Sequence, residues 1–282
     1  MIKVFPIRLF TDNFSYLIFG QNIRNCMLVD LADHNVIIPY LQNWPKHRVS
    51  HVLLTHRHRD HVGDLPALLH GLKKLYNAET EVVSGAQDNI QGTTIPYKEN
   101  GTLDINDIIV NIIQSPCHTK GAVMYYLQNQ ESNARQNDWN MNKVDHTECY
   151  RCVFTGDTHF IGGCGKFFEG TAEQMLDNMD KLAALPNDTF IFPGHEYTMS
   201  NLEWAMGIEW ENEAYQRKLT WAQNRVKSGS FGIPSTVEEE FDINIFLRTR
   251  VPLVQKRVGK TNPVEVMAAL RDMKDKKISL RK

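Results

Sequence analysis

The chain has little of what would tie it to an oxidising compartment, a membrane or a nucleic acid. Its 282 residues include five cysteines, a sparse and odd set that fits reduced thiols better than a disulfide framework. Cys149 and Cys152 form a CxxC pair, but one pair without a second reads as two incidental thiols. No apolar run approaches the roughly 20 residues that span a bilayer. The opening residues Met1 to Pro6 have neither the basic-then-apolar form of a secretory signal nor the Arg/Ser-rich form of a transit peptide. These absences give the expectation of a soluble, cytoplasmic protein with no membrane partner. An excess of one charge is also missing, with 31 Lys/Arg against 33 Asp/Glu. Residues 200–282 hold 15 Lys/Arg against 11 Asp/Glu and the remainder 16 against 22, so the C-terminal part permits an anionic partner. No basic stripe with interleaved aromatics points to nucleic acid. Neither a GxSxG elbow nor a P-loop occurs, which removes the usual serine nucleophile and phosphate cradle.

What is present is length and apolar content, 42% hydrophobic, enough for one large or two modest domains. Short β-rich runs at 2–10, 16–19 and 26–29, broken by the polar turns Thr11-Asp12-Asn13 and Gly20-Gln21-Asn22, read as a meander. A helical pattern at 35–44 and a strand at 49–54 follow. A helix at 64–76 then carries Leu65, Leu68, Leu69, Leu72 and Leu75 on one face, with Pro66 in its first turn. Strands are expected at 81–84, 103–105, 108–114, 123–127, 152–158 and 189–192, and helices at 171–184, 211–227 and 263–274. The Asn-rich stretch 128–150 reads as a surface insertion. Past residue 199 the strand period largely disappears. The expected organisation is a mixed α/β domain over 1–198 and a smaller helical domain over 199–282.

Between the strand at 49–54 and the helix at 64–76 lies Thr55-His56-Arg57-His58-Arg59-Asp60-His61. A solvated charged loop is the bland account of it. Three imidazoles and a carboxylate packed so closely favour a metal site instead, with ligands suited to zinc, iron or manganese and no cysteine for a structural thiolate site. The pattern of a strand ending on His or Asp recurs at His118, Asp157 and His195. Seven candidate donors, His56, His58, Asp60, His61, His118, Asp157 and His195, exceed one tetrahedral ion and suit two divalent ions sharing a carboxylate and a water. Hydrolysis is the natural chemistry.

The segments THRHRDH, PCHTKG, FTGDT and PGHEYT, in this order, resemble the metallo-β-lactamase superfamily and, within it, the glyoxalase II (hydroxyacylglutathione hydrolase) family. The narrower resemblance includes Thr11-Asp12-Asn13, the run Gly163 to Phe167, and Arg271 to Lys274, and spans nearly the whole chain. It implies an α+β fold, an αββα sandwich with a C-terminal helical domain. His56, His58 and His118 would hold one metal, Asp60, His61 and His195 a second, and Asp157 would bridge them. A hydroxide on two zinc ions, or on iron or manganese, would attack S-D-lactoylglutathione and release D-lactate and glutathione, with Asp60 and Asp157 counted as catalytic. The same resemblance implies a monomer acting in methylglyoxal detoxification. The substrate would meet Lys166, Phe168, His195, Tyr197, Arg271 and Lys274, with Lys166, Tyr197, Arg271 and Lys274 serving the glutathione carboxylates. Phe168 departs from the family's usual tyrosine. His159, His146 and the CxxC thiols are expected outside the ligand set. Two other readings remain at this stage: a mono-iron persulfide dioxygenase, and a catalytically silent glutathione-binding protein.

Overall fold

The computed structural model describes residues 1–21, 24–44, 46–129 and 146–280. Asn22, in the second expected turn, lies outside them, as do residues 130–145 of the expected insertion. Strands β1 (Ile2–Leu9), β2 (Asn13–Phe19), β3 (Asn25–Val29), β4 (Arg48–Leu53), β5 (Glu81–Gly85) and β6 (Ile95–Tyr97) follow in that order across one sheet. Pairing is antiparallel from β1 to β3 and parallel from β3 to β6. Strands β7 (Gly101–Ile105), β8 (Ile108–Gln114) and β9 (Val123–Asn129) open the second sheet. The chain then returns to the first as β10 (Thr147–Cys149), paired with β1. β11 (Arg151–Gly156) rejoins the second sheet, a small ribbon forms from β12 (His159–Phe160) and β13 (Gly163–Cys164), and β14 (Phe190–Pro193) and β15 (Ser235–Thr236) complete that sheet.

Helices cover both outer faces. α1 (His34–Gln42), the short α2 (Arg59–Val62) and α3 (Leu65–Tyr76) lie among the first-sheet strands in sequence. After the second sheet come α4 (Ala172–Ala183), α5 (Thr198–Met206), α6 (Glu213–Lys227), α7 (Val237–Ile243), α8 (Pro252–Val258) and α9 (Pro263–Asp275). Their starts are chemically marked. Asp64 accepts from the Ala67 amide ahead of α3, and Thr171 and Gln174 form a reciprocal capping box on α4.

Period-two alternation decides which side chain enters which layer. On β1, Phe5, Ile7 and Leu9 join Ile37, Leu41, Leu65, Leu68 and Leu72 of α1 and α3 in one buried cluster. Ile2 and Val4 turn the other way and meet Val110, Ile112, Tyr125, Leu127, Phe154 and Phe192 between the sheets. Behind the second sheet, Met124, Tyr126, Val153 and Ile191 pack on Leu182 and Val237. The inter-sheet core continues into the C-terminal helices through Leu202, Tyr215, Phe246, Met267 and Leu270. The architecture is therefore the expected αββα sandwich with C-terminal helices.

Three corrections concern local structure. The expected insertion is narrower than 128–150, because Gln128, Asn129 and Thr147 to Cys149 are strand residues. Helices α5, α7 and α8 were not anticipated, being short and without long apolar stripes. The C-terminal part also contributes β15 to the sheet it packs on, antiparallel to β14. Among the described residues no helix is long and apolar enough to cross a membrane.

Candidate metal centre

The parallel strands β3, β4, β11 and β14 all end at one edge of the sandwich, where side chains from distant segments converge. β3 delivers Asp30, the loop after β4 delivers His56 and His58, α2 delivers Asp60 and His61, β11 ends before Asp157, and β14 ends before His195. His118 comes from the turn between β8 and β9. Main-chain hydrogen bonds tie these loops together. Phe14 N donates to Gly194 O at 2.9 Å, Gly194 N to Gly156 O at 2.9 Å, and Val123 N to Thr55 O at 2.9 Å. Glycine is required at 194 because a Cβ there would lie 2.6 Å from both Asp157 Oδ1 and His61 Cε1.

All seven expected donors meet. Three overlapping groups, His56/His58/His118, His56/His61/Asp157 and Asp60/His61/His195, each keep their donor atoms within 4.8 Å of one another. His58 Nδ1 lies 3.0 Å from His56 Nε2 and 3.0 Å from His118 Nε2. Asp157 reaches both ends, with Oδ2 3.3 Å from His118 Nε2 and 3.5 Å from His195 Nε2, and Oδ1 3.2 Å from His61 Nε2. Asp60 Oδ2 is 3.4 Å from His195 Nε2.

The outward-facing atoms are held by other groups, an arrangement that fixes which nitrogen faces inward. His61 Nδ1 is 2.8 Å from Asp30 Oδ2, His195 Nδ1 is 2.8 Å from Asp12 Oδ1, and His118 Nδ1 is 3.0 Å from Lys166 O. Thr55 Oγ1 donates to Asp30 Oδ2 at 2.8 Å and lies 3.1 Å from His56 Nδ1. Asn13 Nδ2 donates to Asp60 Oδ2 at 3.1 Å. Asp12, Asn13, Asp30 and Thr55 were not named as site residues from sequence. Thr11-Asp12-Asn13 reads from sequence as a turn and as part of the family resemblance, and Asp30 repeats the pattern of a strand ending on a carboxylate.

Two observations show that this set fits divalent cations. Asp157 Oδ1 is buried and makes no well-aligned hydrogen bond, even to His61 Nε2 at 3.2 Å, a costly state unless a cation occupies its lone pairs. The site also attracts positive charge. Burial opposes an imidazolium at His61, yet Asp157 and Asp30 overcome it and raise His61 well above its ordinary value. Burial likewise opposes charge at His195, but Asp157 and Asp60 push it up to about 10. His56 goes the other way, lowered by burial and by His61. Asp60 is held well below the usual carboxylate range by its hydrogen bond to His195. In Asp157 burial is outweighed by His61 and the other histidines, so its carboxyl also stays low.

The expected substrate residues are distributed unevenly. Phe168 is 62% exposed, its ring 5.1 Å from that of His118 and 6.0 Å from that of His58. Lys166 Nζ sits 5.9 Å from the Phe168 ring centre. These two share a cleft of about 540 Å³ with Thr171, Ala268 and Arg271. Arg271 is buried, donates to Cys164 O at 3.0 Å and to Asp275 Oδ1 at 2.8 Å, and leaves Nε without a partner. Lys274, three residues on in α9, is bonded to Asn201 Oδ1 and faces Trp204 and Phe246. It does not line that cleft. Tyr197 stacks on His195 at 4.9 Å and 8°, with burial and then Asp12 raising its hydroxyl pKa, so it stays protonated. A second cleft of about 700 Å³ opens at the Asp60 end, lined by Phe10, His34, Arg59 and Pro66 among others. His159 is turned away, 2.9 Å from Glu240 Oε2. His146 stacks on Phe5, and Cys149 and Cys152 are buried free thiols.

Sandwich and donor edge define a metallo-β-lactamase-fold protein. A metallo-β-lactamase from Staphylococcus aureus superimposes with a TM-score of 0.56 at 18% identity, covering 93% of this chain and 67% of the other. A family profile described as hydroxyacylglutathione hydrolase C-terminus matches residues 196–277. The cytoplasmic hydroxyacylglutathione hydrolase of Arabidopsis thaliana is 36% identical over 97% of this chain and 98% of its own length. The hydroxyacylglutathione hydrolase of Pseudomonas paraeruginosa is 33% identical over 98% and 99%. The chain belongs to the hydroxyacylglutathione hydrolase family.

Proposed function

We propose that the chain hydrolyses the thioester of S-D-lactoylglutathione to D-lactate and glutathione, acting as a cytoplasmic monomer in methylglyoxal detoxification. The observation that carries this reading is the placement of Asp157 within reach of both ends of a seven-donor cluster. In this reading His56, His58 and His118 hold one ion, Asp60, His61 and His195 the other, and Asp157 reaches both. Zinc suits the imidazole and carboxylate donors, as do iron and manganese. Bound divalent ions supply a water activated near neutral pH and Lewis-acid polarisation of a carbonyl.

The chain's own residues do the rest. Asp30, Asp12 and the Lys166 carbonyl hold the outer nitrogens of His61, His195 and His118, aiming the inner ones at the ions. Asp60 and Asp157 remain ionised and act as fixed charge. Residues 199–282 form the glutathione-binding domain. Arg271 and Lys274 from that domain, with Lys166 and the Tyr197 hydroxyl, bind the glutathione carboxylates by charge-assisted hydrogen bonds. Phe168 covers the thioester beside His118, and the Asp60 end leaves room for the acyl group. Water forms a C–O bond to the carbonyl carbon, and as the adduct collapses the C–S bond breaks, its electron pair leaving with sulfur and the water's protons passing to solvent. A thiolate with a pKa near 8.5 leaves without needing a buried acid.

Full-length similarity to hydrolases favours this reading over a mono-iron dioxygenase or a silent binding protein. The test is thiol release from S-D-lactoylglutathione by wild type and by Asp157→Ala, with metal content and oxygen uptake recorded in parallel. Equal rates in the two proteins would sink the mechanism, and oxygen uptake would favour the dioxygenase.

A further inference from the structure

Asp88 is a buried carboxylate that belongs to none of the donor groups and was not singled out from sequence. It follows β5 on a single turn of 3-10 helix, residues 86–88, and is 5% exposed. Its two oxygens are taken by groups from two different ligand-bearing loops. Oδ2 accepts from the Arg57 backbone amide at 2.7 Å and from Thr119 Oγ1 at 2.8 Å, while Oδ1 accepts from the Gly121 amide at 2.8 Å. Arg57 lies between His56 and His58, and Thr119 directly follows His118. The approach is close enough to require glycine at 121, where a Cβ would fall 2.2 Å from Asp88 N and 2.7 Å from Asp88 Oδ1.

A second carboxylate repeats the clasp outside. Glu169 Oε2 accepts from the Lys120 amide at 2.9 Å, and Glu169 Oε1 pairs with the Arg57 guanidinium, whose other arm is 3.6 Å from Asp88. The three histidines thus bracketed, His56, His58 and His118, make up one donor group. The group at the opposite end, Asp60, His61 and His195, is braced through Asn13, Asp30 and Asp12, none of which touches Asp88. The need for a clamp is greatest at His58. Among the described residues its ring has no outer hydrogen-bond partner of the kind that holds His61 or His195, so its position follows from its backbone.

We infer that Asp88 is a positioning residue that fixes the His56–His58 loop against the His118 loop and so sets the affinity of one of two metal sites without touching the ion. The inference rests on the proposed metal-binding reading, and the experiment separates the two. Apo-protein is titrated with Zn²⁺ against a chromophoric chelator, with thermal unfolding of the apo forms measured alongside. Wild type binding two ions upholds the metal reading; fewer than two overturns both. For Asp88→Asn, which keeps the shape but turns an acceptor into a donor facing donors, one ion should bind roughly 10- to 100-fold more weakly and the other as in wild type. Unchanged affinity for both ions, or an equal loss at both, overturns the inference. Should apo Asp88→Asn fail to unfold cooperatively, Thr119→Val decides. It removes one short bond and leaves the carboxylate, and it should weaken the same single ion by roughly two- to tenfold, whereas two wild-type affinities overturn the inference.

Discussion

At the donor edge, His61, His118 and His195 each have the outer ring nitrogen bonded to a carboxylate or carbonyl, and Asp60 is held by Asn13. In the cleft beside it, Lys166 and Phe168 are exposed and Arg271 is bonded to Cys164 and Asp275, while Lys274, outside the cleft on the same helix, is bonded to Asn201. The first region has its geometry fixed before any ligand arrives. In the second, cations must exchange protein partners for a ligand. Rigid donors suit chemistry, where a small displacement is costly. Exchangeable cations suit affinity for a flexible, doubly charged molecule. Mutations in the two regions should therefore fall on different kinetic constants.

The largest effect is expected at Asp157. Asp157→Ala removes the one donor that reaches both groups and leaves the neighbouring histidines to repel one another. Turnover should drop on the order of 10³-fold, the scale of losing a principal electrostatic stabiliser, with metal content reduced. A variant that keeps both metals and most of its kcat would erase the distinction between the two regions. Next comes Asp12→Asn, one layer out. Its amide can donate to His195 Nδ1 and push the ring proton onto Nε2, the atom that faces the other donors. Metal affinity or kcat should fall roughly 10- to 100-fold, readable by metal analysis after dialysis and by steady-state rates.

The difference between the regions also explains what could be read from sequence. The donor edge was legible because the candidate donors follow strands with recognisable neighbours: His56 to His61 after Leu54, His118 after Pro116, Asp157 after Gly156 and His195 after Gly194. The αββα layers were legible because β1, β8, α3 and α4 keep clean periods. Asp88 was not, since a lone carboxylate three residues past β5 has no pattern until Arg57, Thr119 and Gly121 fold around it. β10 was hidden for a similar reason: three residues in a polar stretch, recruited by the edge of β1 rather than by their own propensity. In and around the cleft, residue types were visible but engagements were not. Nothing in Arg271-Asp272-Met273-Lys274 says that the lysine turns to Asn201 and the arginine to Cys164.

Lys274 gives the third prediction, a pH effect. Burial lowers its pKa to about 8. Below that value the amine is charged at a cost to the fold; between about 8 and the ordinary 10.5 the unfolded chain binds more protons, so this group makes stability rise with pH. Binding of a carboxylate has the opposite sign, because the charged fraction falls through the same window. KM for the glutathione thioester should rise roughly fivefold from pH 8 to pH 9, with kcat little affected by this group, and Lys274→Met should start high and stay flat. A wild-type KM independent of pH over that interval would remove Lys274 from the substrate site.

The smallest effect, and the one that sharpens the comparison most, is expected from Phe168→Tyr. Phe168 lies on the border of the two regions, its ring against His118 and His58 while its outer face looks into the cleft. Because the side chain is exposed, a hydroxyl can be added there without burying an unsatisfied group. If residue 168 works on the affinity side, the new donor contributes one neutral, solvent-exposed hydrogen bond, near the low end of the usual range at about 0.5 kcal/mol. KM then falls roughly twofold while kcat and the two metal affinities stay as in wild type. If kcat or metal binding shifts instead, the ring beside His118 is part of the rigid centre, and the boundary between the regions lies one residue further into the cleft, at Lys166.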